Sequence, residues 1–266
     1  SPIQILVELV EMLQKGLSGF RRYLEVVETE PEIQDKEGAI DLENVKGDVC
    51  YDNVSFHYSD DNKTVLSQVS IHIPAGKSVA LVGPSGGGKT TICSLLPRFY
   101  DVTAGKVTID GKDVRDLTLK SLRNQIGMVQ QDVYLFDGTI RENIAYGKPD
   151  ATDEEIWEAL KTAQAEEFIR AKEGGLDANI EQGGRNLSGG QRQRLTIARA
   201  LVKKPRVLIL DDSASALDFA TDAKLRMAIR DMENKATVFI VSQRAASIMY
   251  ADKIIVLDDG QIVGMG

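Results

Sequence analysis

The sequence predicts an α/β fold with a mainly parallel β-sheet at its core. Four short runs are continuously apolar, namely Val79–Val82, Val207–Leu210, Val238–Val241 and Ile254–Leu257. Such runs are typical of strands that are covered on both faces in a parallel sheet, and helical patterns lie between them. Two other segments, Asp48–Tyr58 and Val69–Ile73, alternate apolar and polar residues, which favours half-buried antiparallel strands beside this core.

The first 28 residues predict one amphipathic helix. Its apolar residues recur every three or four positions, at Leu6, Leu9, Val10, Leu13, Leu17, Phe20, Leu24 and Val27. Glu30-Pro31 ends the pattern, because a residue before proline is pushed out of the helical region. Residues 31–47 are charged and irregular, as in a linker. The helix either packs on its own domain or is the tail of a membrane helix that leads into a cytoplasmic domain, and its periodicity fits both.

Three lobes are expected beyond the linker. The core comprises residues 76–100 and 200–266, an antiparallel lobe comprises residues 48–75 and 105–113, and a helical lobe comprises residues 132–195. Lys106–Asp113 contains Asp110-Gly111 and is typical of a β-hairpin. In the helical lobe, Thr152 and Glu155 form a capping-box pattern that predicts the start of a helix.

Composition excludes some classes of protein. The 266 residues carry a net charge of −8, whereas a nucleic-acid-binding protein usually shows a basic excess. Cys50 and Cys93 are too few for a disulfide framework or a zinc site, and we expect two buried free thiols. Since no apolar run approaches about 18 residues, we expect a soluble chain without a membrane span.

A phosphate-binding motif follows the first apolar run. The pattern G-x-x-x-x-G-K-[ST] is matched in full by Gly83-Pro84-Ser85-Gly86-Gly87-Gly88-Lys89-Thr90. A predicted strand precedes it and a predicted helix, Thr91–Leu96, follows it, a context that a stray glycine-rich turn lacks. We expect the backbone N–H groups of this loop and the residues up to Thr91 to bind phosphates, with Lys89 at the β- and γ-phosphates and the Thr90 hydroxyl on Mg²⁺.

A carboxylate for that Mg²⁺ ends the second apolar run. Asp211 directly follows Val207–Leu210, and ligands bind at the carboxyl ends of strands in open α/β sheets. An acid that merely ends a strand is the alternative, but the phosphate-binding loop makes Asp211 the expected metal ligand. Together the two motifs predict a P-loop nucleotide hydrolase.

A second glycine motif names a family. Leu187-Ser188-Gly189-Gly190-Gln191 leads into a helix over Arg192–Leu201. Ser188 and Gln191 form a capping-box pattern, and the two glycines leave the helix N-terminus open to an anion. The segment resembles the signature motif of ATP-binding cassette (ABC) proteins, in which Ser188, Gly189, Gly190 and Gln191 would reach the γ-phosphate of ATP on a partner cassette. The resemblance implies a P-loop NTPase (RecA-like) core, with the helical lobe ending in this motif.

Other segments match the family in order, from about Val49 to Gly266. Tyr58 is similar to the aromatic residue that stacks on adenine. Gln131 is similar to the glutamine that contacts Mg²⁺ and communicates with the membrane domain, and it is therefore also a catalytic candidate. Ser215-Ala216-Leu217-Asp218 resembles the loop that crosses the dimer interface. The resemblance implies ATP and Mg²⁺ as cofactors and a second cassette as partner, in a head-to-tail dimer.

The N-terminal part resembles the joint between membrane domain and cassette in exporters with fused domains. This similarity lies in Phe20–Val27 and in the Glu30–Ile33 segment that follows it. We therefore expect residues 1–47 to be a helix and linker from a membrane domain, and residues 48–266 to be the nucleotide-binding domain. Family members continue for some tens of residues beyond the Asp259-Gly260 turn, so we expect a C-terminally trimmed domain. The implied location is the cytoplasmic face of the plasma membrane.

Three positions depart from the family pattern. Asp212 stands where the family has the glutamate that polarises water. Its carboxylate falls about 1.5 Å short of the position that the glutamate carboxylate reaches, and a misplacement of about 1 Å can cost roughly 100-fold in rate. Gln243 stands where the family has the switch histidine, and an amide carries neither its charge nor its proton. Gln182 stands a few residues before the signature motif, where the family has a glutamate near the contact with the membrane domain, and its alignment is less clear than that of the other two positions.

Because the binding positions are intact and both hydrolytic positions differ, the chain resembles the degenerate half of a heterodimeric multidrug-type exporter. It would bind Mg-ATP, hydrolyse it slowly and donate Ser188–Gln191 to its partner. A slow homodimeric ATPase, a non-hydrolysing regulatory cassette and engineered substitutions at these positions stay open. A soluble cassette for DNA maintenance or translation is less favoured, because such proteins usually carry a long coiled-coil insertion or two cassettes.

Overall fold

The computed structural model describes residues 2–59, 63–212 and 215–266. Its contacts divide the chain into two units that meet between Gln34 and Asp35. The first unit is helix α1 (Pro2–Glu28), which confirms the predicted helix apart from Ser1, which lies outside the described residues. No helix in the described ranges combines the length and the apolar character needed to cross a membrane.

The second unit contains twelve described strands and eight described helices. The strands are β1 (Val49–Phe56), β2 (Leu66–Ile73), β3 (Ser78–Val82), β4 (Ala104–Ile109), β5 (Lys112–Asp113), β6 (Ile126–Val129), β7 (Gly138–Thr139), β8 (Asn179–Ile180), β9 (Val207–Asp211), β10 (Thr237–Val241), β11 (Lys253–Asp258) and β12 (Gln261–Met265). The helices are α2 (Lys89–Leu95), α3 (Leu119–Asn124), α4 (Ile140–Ala145), α5 (Asp153–Thr162), α6 (Glu166–Arg170), α7 (Gly189–Leu201), α8 (Phe219–Arg230) and α9 (Ala245–Ile248). Short 3-10 turns cover Val114–Asp116, Gly175–Asp177 and Gln182–Gly184.

A six-stranded sheet forms the core, in the order β12-β11-β3-β10-β9-β6. The four apolar runs are its strands β3, β9, β10 and β11, and every pairing among β11, β3, β10, β9 and β6 is parallel. Strands β9 and β10 are buried along their whole length, which is why their sequences lack alternation. The mainly parallel sheet of an α/β fold is thus confirmed.

The edge strand β6 was not predicted. Its four residues include Gly127, where a Cβ would lie 2.9 Å from Pro205 Cγ and 3.0 Å from the Ala200 carbonyl oxygen. The glycine lets this strand pass close beneath α7. It also interrupts the apolar run, so the sequence lacked the continuous signal that marked the other core strands.

The antiparallel lobe is a four-stranded sheet with the order β2-β1-β4-β5, and it includes the predicted hairpin at Asp110-Gly111. Its inner face packs on the core sheet, where the buried rings of Tyr51 and Phe239 meet edge to face at 6.4 Å. The Tyr51 hydroxyl donates to the Ile92 carbonyl oxygen at 2.7 Å and so ties this sheet to α2. The prediction of two buried thiols is half wrong: Cys93 is buried, but Cys50 points outward from β1 and is only half-buried.

The boundary of the compact unit lies earlier than the predicted residue 48. Asp35 accepts a hydrogen bond from the Leu119 backbone N–H at 2.7 Å, and Ile40 pairs with Leu117 in an isolated parallel bridge. Leu42 and Val45 are buried in the same apolar cluster as β1 and β2. Residues 35–47 therefore belong to the compact unit, because their scattered apolar side chains cover its core.

The helical lobe contains α4 to α7 and a small antiparallel pair, β7 with β8. The predicted capping box of Thr152 and Glu155 starts α5. Helix α7 packs against α4, α5 and β6, which places the signature segment at one end of a buried helix. Trp157 packs on this lobe's core only partly buried, with the Arg170 guanidinium 4.0 Å from its ring centroid.

Candidate nucleotide-binding site

The segments that carry the predicted site follow the carboxyl ends of four adjacent parallel strands. The loop Gly83–Gly88 follows β3, Gln243 follows β10, and Gln131 follows β6. Asp211 is the last residue of β9, and it is in register with Val241 of β10. Since the strand ends of a parallel sheet meet at one edge, these side chains converge there.

A cleft of about 370 Å³ opens at this edge, within the usual range for ligand sites. The predicted residues that line it are Tyr58, Ser85, Gly86, Gly88, Lys89, Thr90, Thr91, Gln131, Asp211, Asp212 and Gln243. Three residues that were not predicted complete the lining: Val65, Val241 and Ser242. The phosphate-binding loop and the predicted residues of four other segments thus meet in one cavity.

Glycines give the loop its path. Gly83 has φ +142°, and a Cβ there would lie 1.9 Å from the Leu257 carbonyl oxygen, so a side chain has no room. Gly86 has φ +80° and faces open space, while Gly88, at φ +99°, caps the start of α2. Gly83, Pro84 and Gly87 shape the loop without appearing in the cavity lining. The open side at Gly86 leaves room for a phosphate chain.

Lys89 and Thr90 place two polar groups at the floor of the cleft. The Lys89 ammonium donates to the carbonyl oxygens of Gly83 and Pro84 at 2.9 and 2.6 Å, which keeps the cation at the loop. The Thr90 side chain lies close to the Asp211 carboxylate. Asp211 is 5% exposed; this burial, with a smaller contribution from neighbouring Asp212, raises its pKa, while the nearby Thr90 hydroxyl and Lys89 oppose the shift.

These residues fit Mg²⁺. The hydroxyl of Thr90, the amide oxygen of Gln131 and the carboxylate of Asp211 are hard oxygen donors, the kind that Mg²⁺ prefers. A buried carboxylate whose ionised form is penalised gains from a cation beside it. Within the described ranges, no group of three or more His, Cys, Asp or Glu could hold a metal ion. Mg²⁺ is commonly bound through one or two carboxylates together with substrate phosphates.

Tyr58 lines the cleft and lies just beyond β1 in the chain. Its hydroxyl is 3.1 Å from the Thr91 hydroxyl. Its ring meets the rings of Phe56 and Tyr100 edge to face, at centroid distances of 4.8 and 5.1 Å. Val65, partly buried, lies beside it in the lining and adds an apolar surface. These side chains give this part of the cleft an aromatic and apolar surface.

Asp212 and Gln243, the two departures from the family pattern, both line the cleft. Asp212 has φ +47°, a left-handed conformation that aspartate tolerates better than most residues, and its N–H donates to the Val241 carbonyl oxygen at 2.9 Å. Gln243 is exposed at the start of the segment that leads to α9. Gln182 is exposed in the 3-10 turn Gln182–Gly184 and is absent from the lining.

The signature segment Ser188–Gln191 forms its predicted capping box but does not line this cleft. The Ser188 hydroxyl accepts from the Gln191 N–H at 3.2 Å, and the Gln191 side chain accepts from the Ser188 N–H at 3.0 Å, which confirms the capping box. Helix α7 starts at Gly189, so both glycines lie in its first turn. Among the described residues that line the cleft, none belongs to Ser188–Gln191. This part of the predicted site is not brought to the chain's own phosphate-binding loop.

Two polar residues that contact a loop near the site, Gln193 and Arg244, were not predicted, and Gln193 is buried while Arg244 is partly exposed. Gln193, 3% exposed on α7, bonds the loop at Ser215 and Ala216, and Arg244 bonds the same loop from the other side. In sequence both sit among other polar residues, so no pattern distinguishes them. Val65 and Ser242 likewise carry no local motif, because only the folded sheet brings them to the cleft.

The loop, the strand order and the cleft define the class: the core is a P-loop nucleoside-triphosphatase fold. The family model described as "ABC transporter" matches residues 66–215, more than half of the chain. The chain therefore belongs to the ABC transporter family, as an ATP-binding domain.

Relatives and a solved structure agree with this placement. The chain is 48% identical over 265 residues to the ABC transporter ATP-binding protein YwjA of Bacillus subtilis, covering 100% of the chain and 46% of the relative. It is 43% identical over 265 residues to the ATP-dependent lipid A-core flippase of Desulfotalea psychrophila, again covering 100% and 46%. The structure of a bacterial Atm1-family ABC exporter with ATP bound superimposes with a TM-score of 0.89 at 37% identity, covering 100% of this chain and 46% of that one. The chain spans about half the length of the relatives it matches.

Proposed function

We propose that this chain is the ATP-driven motor domain of an ABC exporter and acts as one half of a dimer of cassettes. The proposal is carried by the observation that the phosphate-binding cleft and the signature segment, which must act together on one nucleotide, lie apart in this chain. The chain has a cleft with a complete phosphate-binding loop, and the signature segment Ser188–Gln191 is absent from that cleft's lining. A second cassette in head-to-tail orientation would supply the missing signature to each cleft.

The residues of the cleft have distinct roles in this proposal. Tyr58 and Val65 hold the adenine, and the N–H groups from Ser85 to Thr91, with Lys89, bind the phosphates. Thr90, Gln131 and Asp211 hold Mg²⁺. Bound there, Mg²⁺ would bridge phosphate oxygens and neutralise the charge that develops on them. Asp212 and Gln243 face the γ-phosphate end of the cleft.

We further propose that hydrolysis in this cleft is weak. Phosphoryl transfer depends on positioning and charge stabilisation, so a short carboxylate at Asp212 and an uncharged amide at Gln243 should slow turnover and spare binding. The signature segment has its serine, both glycines and its capping box. The chain would therefore complete an active site on its partner, and we propose that the partner is a different chain with its own glutamate and histidine. A homodimer with slow turnover is the alternative.

The rest of the transporter is inferred from the relatives' lengths and names. Because the matched relatives are about twice as long, we propose that a membrane-spanning domain accompanies this cassette, and that α1 with the segment after it connects the two. The cassette would then work at the cytoplasmic face of the plasma membrane. Relatives named as flippase and multidrug export proteins support export as the direction of transport.

A regulatory cassette that binds ATP without turnover is the second candidate. The combination of an intact phosphate-binding loop with Asp212 and Gln243 favours it. In that case the chain would hold ATP in its own cleft, and its signature segment would not support turnover on a partner.

Mixing experiments separate these functions. The purified chain is mixed with a candidate partner cassette, and ATPase activity is compared with that of each protein alone. We expect a large rise that Ser188→Arg abolishes. Thr152→Arg is the matched control, because it removes an equivalent capping box from α5, at a cost of about 1 kcal/mol, without touching the signature.

The outcomes are distinct. Loss of the rise with Ser188→Arg and retention with Thr152→Arg supports the motor function. ATP binding with no rise for any cassette partner supports the regulatory function. Equal losses with both variants would mean that the signature has no specific role and would contradict the proposal.

A further inference from the structure

The loop Ser215–Leu217 is held from two sides by side chains that belong to opposite functional segments. From one side comes Gln193 on α7, the helix that begins with the signature. From the other comes Arg244, which directly follows Gln243. This arrangement suggests a link between the part of the chain that serves a partner and the part that lines its own cleft.

Gln193 connects the loop to α7, the helix that begins with the signature segment, by two hydrogen bonds. Its side-chain Nε2 donates to the Ser215 hydroxyl at 3.1 Å, and its Oε1 accepts from the Ala216 N–H at 3.0 Å. The side chain is 3% exposed, so an amide that lost these bonds would be buried without partners. Beside Gln193 the loop packs closely against the signature glycines: a Cβ at Gly190 would lie 3.2 Å from the Ala216 carbonyl oxygen.

Arg244 connects the same loop by hydrogen bonds to the segment Ser242–Arg244, which contains Gln243 and is called the switch segment below. Its two terminal nitrogens donate to the carbonyl oxygens of Leu217 and Ser215, at 2.8 and 2.6 Å. The planar guanidinium thus spans both ends of the three-residue loop, which a lysine ammonium cannot do with the same geometry. Its backbone N–H also donates to the Ser242 hydroxyl at 3.1 Å, which orients the peptide on the far side of Gln243.

A second set of hydrogen bonds joins α9 to α8, about one helical turn beyond the first set in each segment. The Ser247 hydroxyl on α9 donates to Asp222 on α8 at 2.8 Å, and Arg226 binds the other oxygen of that carboxylate at 2.9 Å. Asp222 and Ser247 are both buried. Because α8 continues from the loop and α9 continues from the switch, the two segments are joined by hydrogen bonds at two places.

We infer that Gln193 and Arg244 are positioning residues that join the signature segment, the loop Ser215–Leu217 and Gln243 into one hydrogen-bonded unit. A displacement of the signature by a partner's nucleotide would then move Gln243 in the chain's own cleft. The inference rests on the proposed function, because it assigns Gln243 to sensing the γ-phosphate. It adds the residues through which occupancy of one site regulates the other.

The test measures how well the cleft distinguishes a triphosphate from a diphosphate. Affinities of the chain for the Mg²⁺ complexes of the β,γ-imido analogue of ATP and of ADP are measured by calorimetry. We expect Gln193→Leu, although its side chain is absent from the cleft lining, to lower the triphosphate preference threefold to tenfold while ADP affinity stays within twofold. Arg244→Ala should do the same, and Arg244→Lys should restore part of the preference. Because the two contacts act in series, the double variant should lose little more than either single variant.

Asn143→Leu is the matched control. Asn143 is also a fully buried amide; it bonds the backbone of Phe136 and Thr139 and accepts from the Arg199 guanidinium at the far end of α7, all within the helical lobe, and it does not bond the loop Ser215–Leu217. It should leave the preference unchanged. Should Gln193→Leu fail to fold, Ser215→Ala removes one of the same hydrogen bonds at an exposed position and should lower the preference in the same direction.

Failure of the inference and failure of the proposed function look different. If the unmodified chain binds neither nucleotide, the proposed function is wrong, and the inference falls with it. If the chain binds both nucleotides but has no triphosphate preference, the inference alone is wrong. It is also wrong if Gln193→Leu and Arg244→Ala leave the preference intact, or if their effects add in the double variant.

Discussion

The Tyr58 hydroxyl lies 3.1 Å from the Thr91 hydroxyl, and this contact joins the antiparallel lobe to the helix behind the phosphate-binding loop. It fixes the edge of an aromatic ring above the floor of the cleft. In the proposed function Tyr58 would make two separable contributions, a ring face for the base and a hydroxyl that orients the ring.

We predict that Tyr58→Ala weakens Mg-ATP binding tenfold or more, because stacking of a base on an aromatic ring contributes roughly 1–3 kcal/mol. Tyr58→Phe keeps the ring and loses only the bond to Thr91, so its affinity should fall less than threefold. Calorimetric titration measures both. Equal losses for Ala and Phe would show that the ring does not stack on the base.

We predict that alanine substitutions at two glycines of the loop have different main effects, one on stability and the other on ATP binding. Gly83→Ala places a Cβ against the Leu257 carbonyl oxygen at a φ of +142°, so we expect the free energy of unfolding to fall by more than about 3 kcal/mol. Gly86→Ala meets open space and bears only left-handed backbone strain of about 1–2 kcal/mol. Its main effect should be on ATP affinity, because its methyl group would occupy phosphate space. Urea unfolding and ATP titration of both variants test this, and similar stabilities would contradict it.

Removal of Mg²⁺ should expose the role of Asp211. We expect EDTA to weaken ATP binding to the unmodified chain at least tenfold. Asp211→Asn should bind Mg-ATP about as weakly as the unmodified chain binds ATP in EDTA, because the amide removes the negative charge that attracts the ion. Asp101→Asn, which alters a partly buried partner of Arg98 outside the cleft lining, is the control and should retain full Mg²⁺ dependence. A Mg²⁺ dependence in Asp211→Asn equal to that of the unmodified chain would rule out Asp211 as a ligand.

The altered hydrolytic positions give a gain-of-function prediction. In an ATP-bound dimer whose partner site is inactivated, Asp212→Glu together with Gln243→His should raise turnover in this chain's cleft at least tenfold, equivalent to about 1.4 kcal/mol of barrier. Because residue 212 has φ +47°, glutamate should also lower stability by about 1 kcal/mol. An unchanged rate in a demonstrated dimer would contradict the idea of a weakened site.

The sequence predicted most where burial or spacing leaves a local mark. Strands β9 and β10 are covered on both faces, so their apolar runs were visible without any tertiary information. The phosphate-binding loop was visible because its glycines and Lys89 have a required spacing. The alternating pattern predicted β1, yet the expectation of a buried Cys50 was wrong: Val49 and Tyr51 face the core, so the alternation turns Cys50 between them to the other face, and the apolar character of cysteine alone had suggested burial.

What depends on distant segments could not be predicted. Residues 35–47 look like a charged linker, and only the folded unit shows that Leu42 and Val45 cover its core. Val65 and Ser242 reach the cleft through the order of the strands. Gln193 lies within a Gln-Arg-Gln-Arg run and is buried only because the loop Ser215–Leu217 packs on α7.

The most direct test of the account is a calorimetric titration of the folded chain with Mg-ATP, made at two temperatures so that a small binding enthalpy is not mistaken for no binding. We predict saturable binding of one nucleotide per chain. Lys89→Ala should weaken that binding at least tenfold, and Lys77→Ala, which removes an exposed cation paired with Asp252, should not. The absence of any heat of association at either temperature, or equal affinity for the chain and its Lys89→Ala variant, would contradict the account.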